Sequence, residues 1–139
     1  MPGSALVVTT KLLPPRPGFR LLDRPRLTRA LAGYQNRKLT VVVAPAGYGK
    51  TVLVSQFFGT VDCPVVWYQV DSFDNDLAVF GQHLVAGIGR HLDGFGDQVL
   101  ALLARAGDSP ERVRPVAAAL VNELAARVKK GLVLVFDDY

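Results

Sequence analysis

The stretch Leu39-Thr40-Val41-Val42-Val43-Ala44-Pro45-Ala46-Gly47-Tyr48-Gly49-Lys50-Thr51 decides the fold, because it reads as a buried strand, a glycine-bearing turn and the opening of a helix. β-Branched residues fill 40–43, and their continuous apolarity, without alternation, suits a parallel strand covered on both faces. Gly47 and Gly49 allow backbone angles that other residues avoid, so successive N–H groups can turn inward around a phosphate. Lys50 then reaches the β and γ phosphates. The Thr51 hydroxyl is offered to Mg²⁺ in the first turn of a helix whose positive dipole end faces the anion. The pattern predicts a phosphate-binding loop for a nucleoside triphosphate.

The general pattern G-x-x-x-x-G-K-[ST] is departed from at its first position, where Ala44 stands and where small size matters more than glycine. The competing reading is a glycine-rich loop ahead of a lysine on a solvated helix start. The β-branched run before the loop argues against it, as does the apolar face of Val52, Leu53, Val54, Phe57 and Phe58 behind the loop.

With 139 residues, half of them apolar, the chain has the size of one domain and enough material for a core. No run approaches a membrane span, and the apolar residues at 5–8 are too few for a signal peptide, so no membrane partner is expected and the cytoplasm is the default compartment. Cys63 is the only cysteine, which excludes an internal disulfide and a cysteine-built zinc site. The net charge of +4 is unevenly placed. Lys11, Arg16, Arg20, Arg24, Arg26, Arg29, Arg37 and Lys38 precede the predicted strand against a single Asp23. Without interleaved aromatic residues or helix-turn-helix spacing, nucleotide-side or solvated roles are favoured over DNA contact.

Residues 1–35 are read as an extended lead-in, rich in proline at 14–17, followed by a short helix opened by Pro25 and stopped at Gly33, with Leu27 and Leu31 on one face. Residues 36–139 are read as the core. A second strand is predicted at 65–70, and strand, helix, strand implies a right-handed crossover in a parallel sheet. Asp74-Asn75-Asp76 is turn chemistry that caps a helix beginning near Leu77, with Phe80, Leu84 and Ile88 on one face. His83 and His91 lack a third ligand at suitable spacing and are read as surface or packing histidines. Gly94 to Gly96 breaks that helix, a short apolar segment at 99–103 follows, and Gly107-Asp108-Ser109-Pro110 forms a loop. The next helix carries Pro115 in its first turn and Val116, Leu120, Leu124 and Val128 along one face. Lys129 and Lys130 lie at its negative end, and Gly131 closes it.

Leu132-Val133-Leu134-Val135-Phe136 then runs straight into Asp137-Asp138. An apolar strand ending in aspartate is the Walker B arrangement. In it Asp137 would hold Mg²⁺ and Asp138 would orient or deprotonate a water, while Lys50 assists at the phosphates. The expected fold is therefore α/β, a three-layer P-loop NTPase with a parallel sheet.

Several of these pieces together resemble a known family. They are Thr10-Lys11-Leu12, Arg24-Pro25-Arg26-Leu27, the loop from Ala44 to Thr51, Ser55-Gln56, Trp67-Tyr68, Asp71 with Asp74-Asn75-Asp76, and Asp137-Asp138-Tyr139. They resemble the nucleotide-binding part of MalT-like, large LuxR-type transcriptional activators of the STAND class of ATPases, which share the alanine-for-glycine loop. The resemblance implies ATP or ADP as ligand with Mg²⁺. It implies nucleotide contacts from Ala44, Pro45, Ala46, Gly47, Tyr48, Gly49, Lys50, Thr51 and Val52, with Arg24 on the adenine side and metal contacts from Thr51 and Asp137. It also implies a bacterial cytoplasmic regulator that uses the nucleotide as a switch and meets DNA only through a C-terminal domain absent from these residues. The family continues beyond the position of Tyr139 with two further strands that flank the phosphate-loop strand. The chain is accordingly expected to be an N-terminal fragment or a gene model cut short, with an incomplete sheet, little ATPase activity of its own and a tendency to self-associate. Two other classes stay open: a P-loop small-molecule kinase, for which only Arg105, Arg112 and Arg114 lie in the lid region, and a non-catalytic interaction fragment.

Overall fold

In chain order the helices are α1 (Pro25–Leu31), α2 (Lys50–Phe58), α3 (Leu77–Gly89), α4 (Asp97–Leu103) and α5 (Val113–Arg127), with strands β1 (Val65–Gln69) and β2 (Val133–Asp137). The structure is a computed structural model that describes residues 6–16, 22–105 and 109–138. Expectations for the first five residues, for Pro17, Gly18 and Arg20, for the loop positions Gly107 and Asp108, and for Tyr139 lie outside the described residues. The chain divides into two units, one of Met1–Leu13 with Cys63–Tyr139 and one of Pro14–Asp62. The arrangement is α/β with a small parallel sheet.

In the larger unit β1 and β2 pair in parallel, with Val65 opposite Val133 and Gln69 opposite Asp137. Parallel neighbours need a long crossover, and α3, α4 and α5 supply it. Three consecutive residues of β1, Val66, Trp67 and Tyr68, are buried, so both faces of this strand are covered. Its core joins Val66 to Leu84, Val85 and Ile88 of α3, to Phe95, to Val99 and Leu103 of α4, and to Val116 and Ala119 of α5. Asp76 caps α3 by accepting from the Val79 N–H at 2.9 Å, as its place before the apolar stripe predicts.

The α5 helix stops at Arg127, short of the expected Lys129 and Lys130, because Val128 is already extended. The Arg127 guanidinium instead donates to the Asp93 carbonyl at 2.6 Å and to the Glu123 carboxylate at 3.1 Å. Glu123 in turn accepts from the Gly96 N–H at 3.0 Å. This ties α5 to the turn that opens α4.

The smaller unit packs α1 against α2 through Leu31, Leu53 and Phe57, with Leu27, Tyr34, Val42, Phe58 and Val61 around them. Tyr34 meets Phe57 and Phe58 edge-on, at centroid distances of 5.8 and 5.2 Å. The strand expected over 40–43 is not formed: among the described residues the sheet holds only β1 and β2. Val42 reaches the α2 cluster, whereas Leu39, Val41 and Val43 are 77, 70 and 85% exposed. The physical reason is that β-branched composition prepares a chain for a ladder but cannot replace the partner whose N–H and C=O groups make it.

Gly96 holds α4 against α3. Its φ is +93°, and a Cβ there would lie 2.8 Å from Val85 Cγ2 and closer still to Cγ1. Gly96→Ala therefore combines left-handed strain with overpacking and is expected to cost about 3 kcal/mol. A urea unfolding midpoint unchanged from wild type would show that the turn relaxes around the methyl group.

Candidate functional site

The loop before α2 has the geometry that its glycines permit. Gly47 and Gly49 adopt φ of +83° and +78°, and Gly49 stands at the cap position directly ahead of Lys50. The Tyr48 N–H turns back toward the Pro45 carbonyl at 3.4 Å, closing the bend. Lys50 does not extend into solvent. Its Nζ donates to the Ala44 carbonyl at 2.5 Å, so the ammonium lies over the start of the loop. Pro45, Ala46, Gly47, Tyr48 and Val52 are exposed, and Ala44, Gly49, Lys50 and Thr51 are half-buried. Val52 therefore stands apart from the apolar face of α2, which Leu53 and Phe57 bury.

Arg24 joins the same loop. Its backbone carbonyl accepts the first α1 N–H groups, from Leu27 and Thr28, each at 3.0 Å. Its Nη1 donates to the Tyr48 carbonyl at 2.9 Å. Its Nη2 lies 3.3 Å from where a Gly49 Cβ would stand. The structure thus brings Arg24, Ala44, Tyr48, Gly49 and Lys50 together. A loop with two left-handed glycines, a helix N-terminus and two cations has the donor set that a polyphosphate needs, so the residues fit that group. Oxygen donors of the Thr51 and Asp137 kind fit Mg²⁺ by their chemistry.

In the larger unit the carboxyl ends of both strands carry acids. Asp137 is the last residue of β2, half-buried opposite Gln69, and its carbonyl accepts from the Val70 N–H at 2.9 Å. Asp138 is exposed and takes φ +63°, a left-handed turn that aspartate tolerates better than most residues. Gln69 Nε2 donates to its Oδ2 at 3.2 Å.

Beside the end of β1 lies a cluster not anticipated from local pattern. Asp74 is buried, with its Oδ1 accepting from the Tyr68 hydroxyl at 2.6 Å and its Oδ2 from the Asp71 N–H at 2.8 Å. Lys11 closes the group, with Nζ 2.5 Å from Asp74 Oδ2 and 3.0 Å from Asp71 Oδ2. Lys11 thus leaves the solvated or nucleotide-side role expected of the basic lead-in. His83, also buried, accepts the Val8 N–H on Nε2 at 3.0 Å and sets Nδ1 2.8 Å from the Val79 carbonyl, which places the proton on Nδ1. Reading it as a packing histidine agrees with this. His91 is exposed. Composition and spacing carry no signal for a contact between positions 11 and 74. The only hint was that Lys11, Tyr68, Asp71 and Asp74 all fall within the pieces that carry the family resemblance.

Burial by itself would raise the Asp74 pKa, but the hydrogen bonds from Lys11, Tyr68 and Asp71 outweigh it and hold the carboxyl below its ordinary value. Desolvation likewise pulls the Lys11 pKa down, and its hydrogen bonds to Asp74 and Asp71 more than restore it, leaving a net rise. Burial, with help from Asp74, pushes the Tyr68 phenol up and keeps it protonated.

These observations define an α/β protein with a small parallel sheet, consistent with part of a P-loop fold. Over 136 residues the chain is 32% identical to the HTH-type transcriptional regulator MalT of Cronobacter sakazakii (strain ATCC BAA-894), a match that covers 96% of the chain. The chain spans 14% of the length of that relative. The similarity supports a relation to MalT-like regulators. No family model matches the chain. Among the described residues no helix is long and apolar enough to cross a membrane, and no three histidine, cysteine or acidic residues cluster as metal ligands.

Asp74→Asn removes the buried one of the two carboxylates that Lys11 faces, Asp71 remaining, and the loss of charged hydrogen bonds is expected to cost about 2 kcal/mol near pH 7. Because the Asp74 pKa is depressed on folding, its contribution is full above the unfolded value of about 3.9 and fades as pH falls through the lower folded value. The raised Lys11 pKa gives the opposite limb, lost only in strong alkali. Urea midpoints of wild type and Asp74→Asn should therefore converge as pH drops below about 4. A gap that stays constant with pH would rule out the charge as its origin.

Proposed function

We propose that this chain is the ATP-binding part of a MalT-like transcriptional regulator, in which the nucleotide serves as a switch ligand and hydrolysis is slow. The observation that carries the proposal is the loop at 44–51, where Gly47 and Gly49 turn the backbone left-handed ahead of α2 while Lys50 folds over the Ala44 carbonyl. The similarity to a protein named as the regulator MalT agrees with it in direction. In this reading residues 36–139 belong to a P-loop core of three layers, and residues 1–35 form a lead-in.

Lys50 faces the terminal phosphates, and the loop from Ala44 to Thr51 with Val52 wraps the phosphate chain by backbone N–H groups. Thr51 and Asp137 are the proposed oxygen donors for Mg²⁺, which when bound neutralises charge on the phosphates. Asp138 is the proposed acceptor of the proton from an attacking water. DNA contact belongs to a domain outside these residues.

A second reading has an observation of its own. Leu39, Val41 and Val43 present apolar side chains to solvent from a segment without a ladder, which suits an interaction surface through which like chains associate. Sedimentation that stays monomeric at high concentration would exclude it.

Lys50→Ala should weaken ATP binding at least tenfold, since a charge-assisted contact to phosphate is worth about 1.5–3 kcal/mol. Calorimetry reads it, and an unchanged affinity would sink the phosphate-loop assignment. In the longer regulator of which this reading makes the chain a part, Asp138→Asn should keep ATP affinity while abolishing phosphate release. Transfer of the phosphate to a metabolite would move the reading to a small-molecule kinase.

A further inference from the structure

We propose that Arg24 is a second phosphate-binding cation of the loop at 44–51, working beside Lys50 at the polyphosphate and not at the base; this rests on the nucleotide reading above. Three observations carry it. The Arg24 Nη1 donates to the carbonyl of Tyr48, at the apex of the loop, at 2.9 Å. The rest of its guanidinium lies against Gly49, with Nη2, Nη1 and Cζ at 3.3, 3.6 and 3.7 Å from a Cβ built there. Gly49 is the residue whose φ of +78° sets the entry of α2, so the guanidinium stands at the positive end of that helix.

Two like charges are thereby held on one short loop, Lys50 on the Ala44 carbonyl and Arg24 on the Tyr48 carbonyl. Backbone carbonyls only partly offset them, and a polyanion in the loop would complete the compensation. A guanidinium carries five N–H donors, of which the Tyr48 carbonyl takes one, and its planar fork matches phosphate oxygens in pairs. A guanidinium plane can also stack on a purine ring, so titration with tripolyphosphate and with adenosine separates phosphate from base.

The position of Arg24 is rigid at its root. Its carbonyl caps α1 through Leu27 and Thr28, and α1 is packed on α2 through Leu31, Leu53 and Phe57. The cation is therefore carried to the loop by the same helix pair that carries Lys50. A methyl group at Gly49 would crowd the guanidinium, with Nη2 at 3.3 Å, in addition to the strain of its positive φ.

The test titrates the full chain with inorganic tripolyphosphate, ATP and adenosine by calorimetry, using wild type, Arg24→Ala, Arg24→Gln and Lys50→Ala. Circular dichroism melts establish that each variant is folded. Arg24→Ala is expected to weaken tripolyphosphate and ATP by the same factor, about tenfold, and to leave adenosine unchanged. Arg24→Gln removes the charge while keeping an amide donor on a side chain two atoms shorter, and should bind as poorly as Arg24→Ala.

Full affinity in Arg24→Gln would mean that Arg24 only shapes the loop. Loss of ATP and adenosine with intact tripolyphosphate binding would place Arg24 at the base. Either outcome overturns the inference while leaving the loop standing, provided that Lys50→Ala still weakens tripolyphosphate. If wild type does not bind tripolyphosphate, or Lys50→Ala binds it as well as wild type, the nucleotide reading fails and the inference falls with it.

Discussion

The parallel pairing of β1 with β2 is the constraint on which the larger unit depends. A parallel ladder cannot be closed by a tight turn, so the chain between Gln69 and Val133 must leave the sheet and return, and α3, α4 and α5 are the path it takes. Burial of Val66, Trp67 and Tyr68 in succession requires cover on both faces of β1, which is why apolar residues of three helices converge on it. The same register sets the polar end of the unit. With Gln69 opposite Asp137, the chain after β1 and the acids after β2 emerge at one end of the sheet, where open α/β sheets bind their ligands.

At that end a polar network takes over from the apolar core. Asp74 is covered by its own turn and by Tyr68, and a bare carboxylate in such a place would be costly; the Tyr68 hydroxyl, the Asp71 N–H and the Lys11 ammonium together make it tolerable. The network also anchors the N-terminal segment. Lys11 is drawn to Asp74, the neighbouring Leu12 is buried, and Val8 donates to a buried His83 that stacks on Tyr68 at 5.6 Å. Residues 8–12 are thus held to the larger unit by polar contacts as much as by apolar area.

In the smaller unit the loop at 44–51 is shaped by backbone and not by a large core. Two glycines supply the left-handed turns, and Arg24 and Lys50 hold the carbonyls on either side of the bend. Its apolar support is one small cluster centred on Leu31, Leu53 and Phe57.

Features set by neighbours in the chain were legible from sequence. Gly47 and Gly49 ahead of Lys50 announced the turn into α2, Asp76 announced the start of α3, and the apolar run ending in Asp137 announced β2, because glycine torsions, N-caps and strand composition act within a few residues. Features that depend on remote partners were not. The run at 40–43 has the composition of a strand, yet a ladder needs a second chain segment at hydrogen-bonding distance, and none of the described residues provides it. Asp74 read as turn chemistry until the fold brought Lys11 and Tyr68 to it, and Arg24, which the family resemblance placed on the adenine side, is carried to the Tyr48 carbonyl by the seating of α1 on α2. Sequence alone determined which residues could turn, cap and pair; the tertiary structure decided which charges are buried and which cations share a loop, because burial and proximity belong to the packed chain and not to its local order.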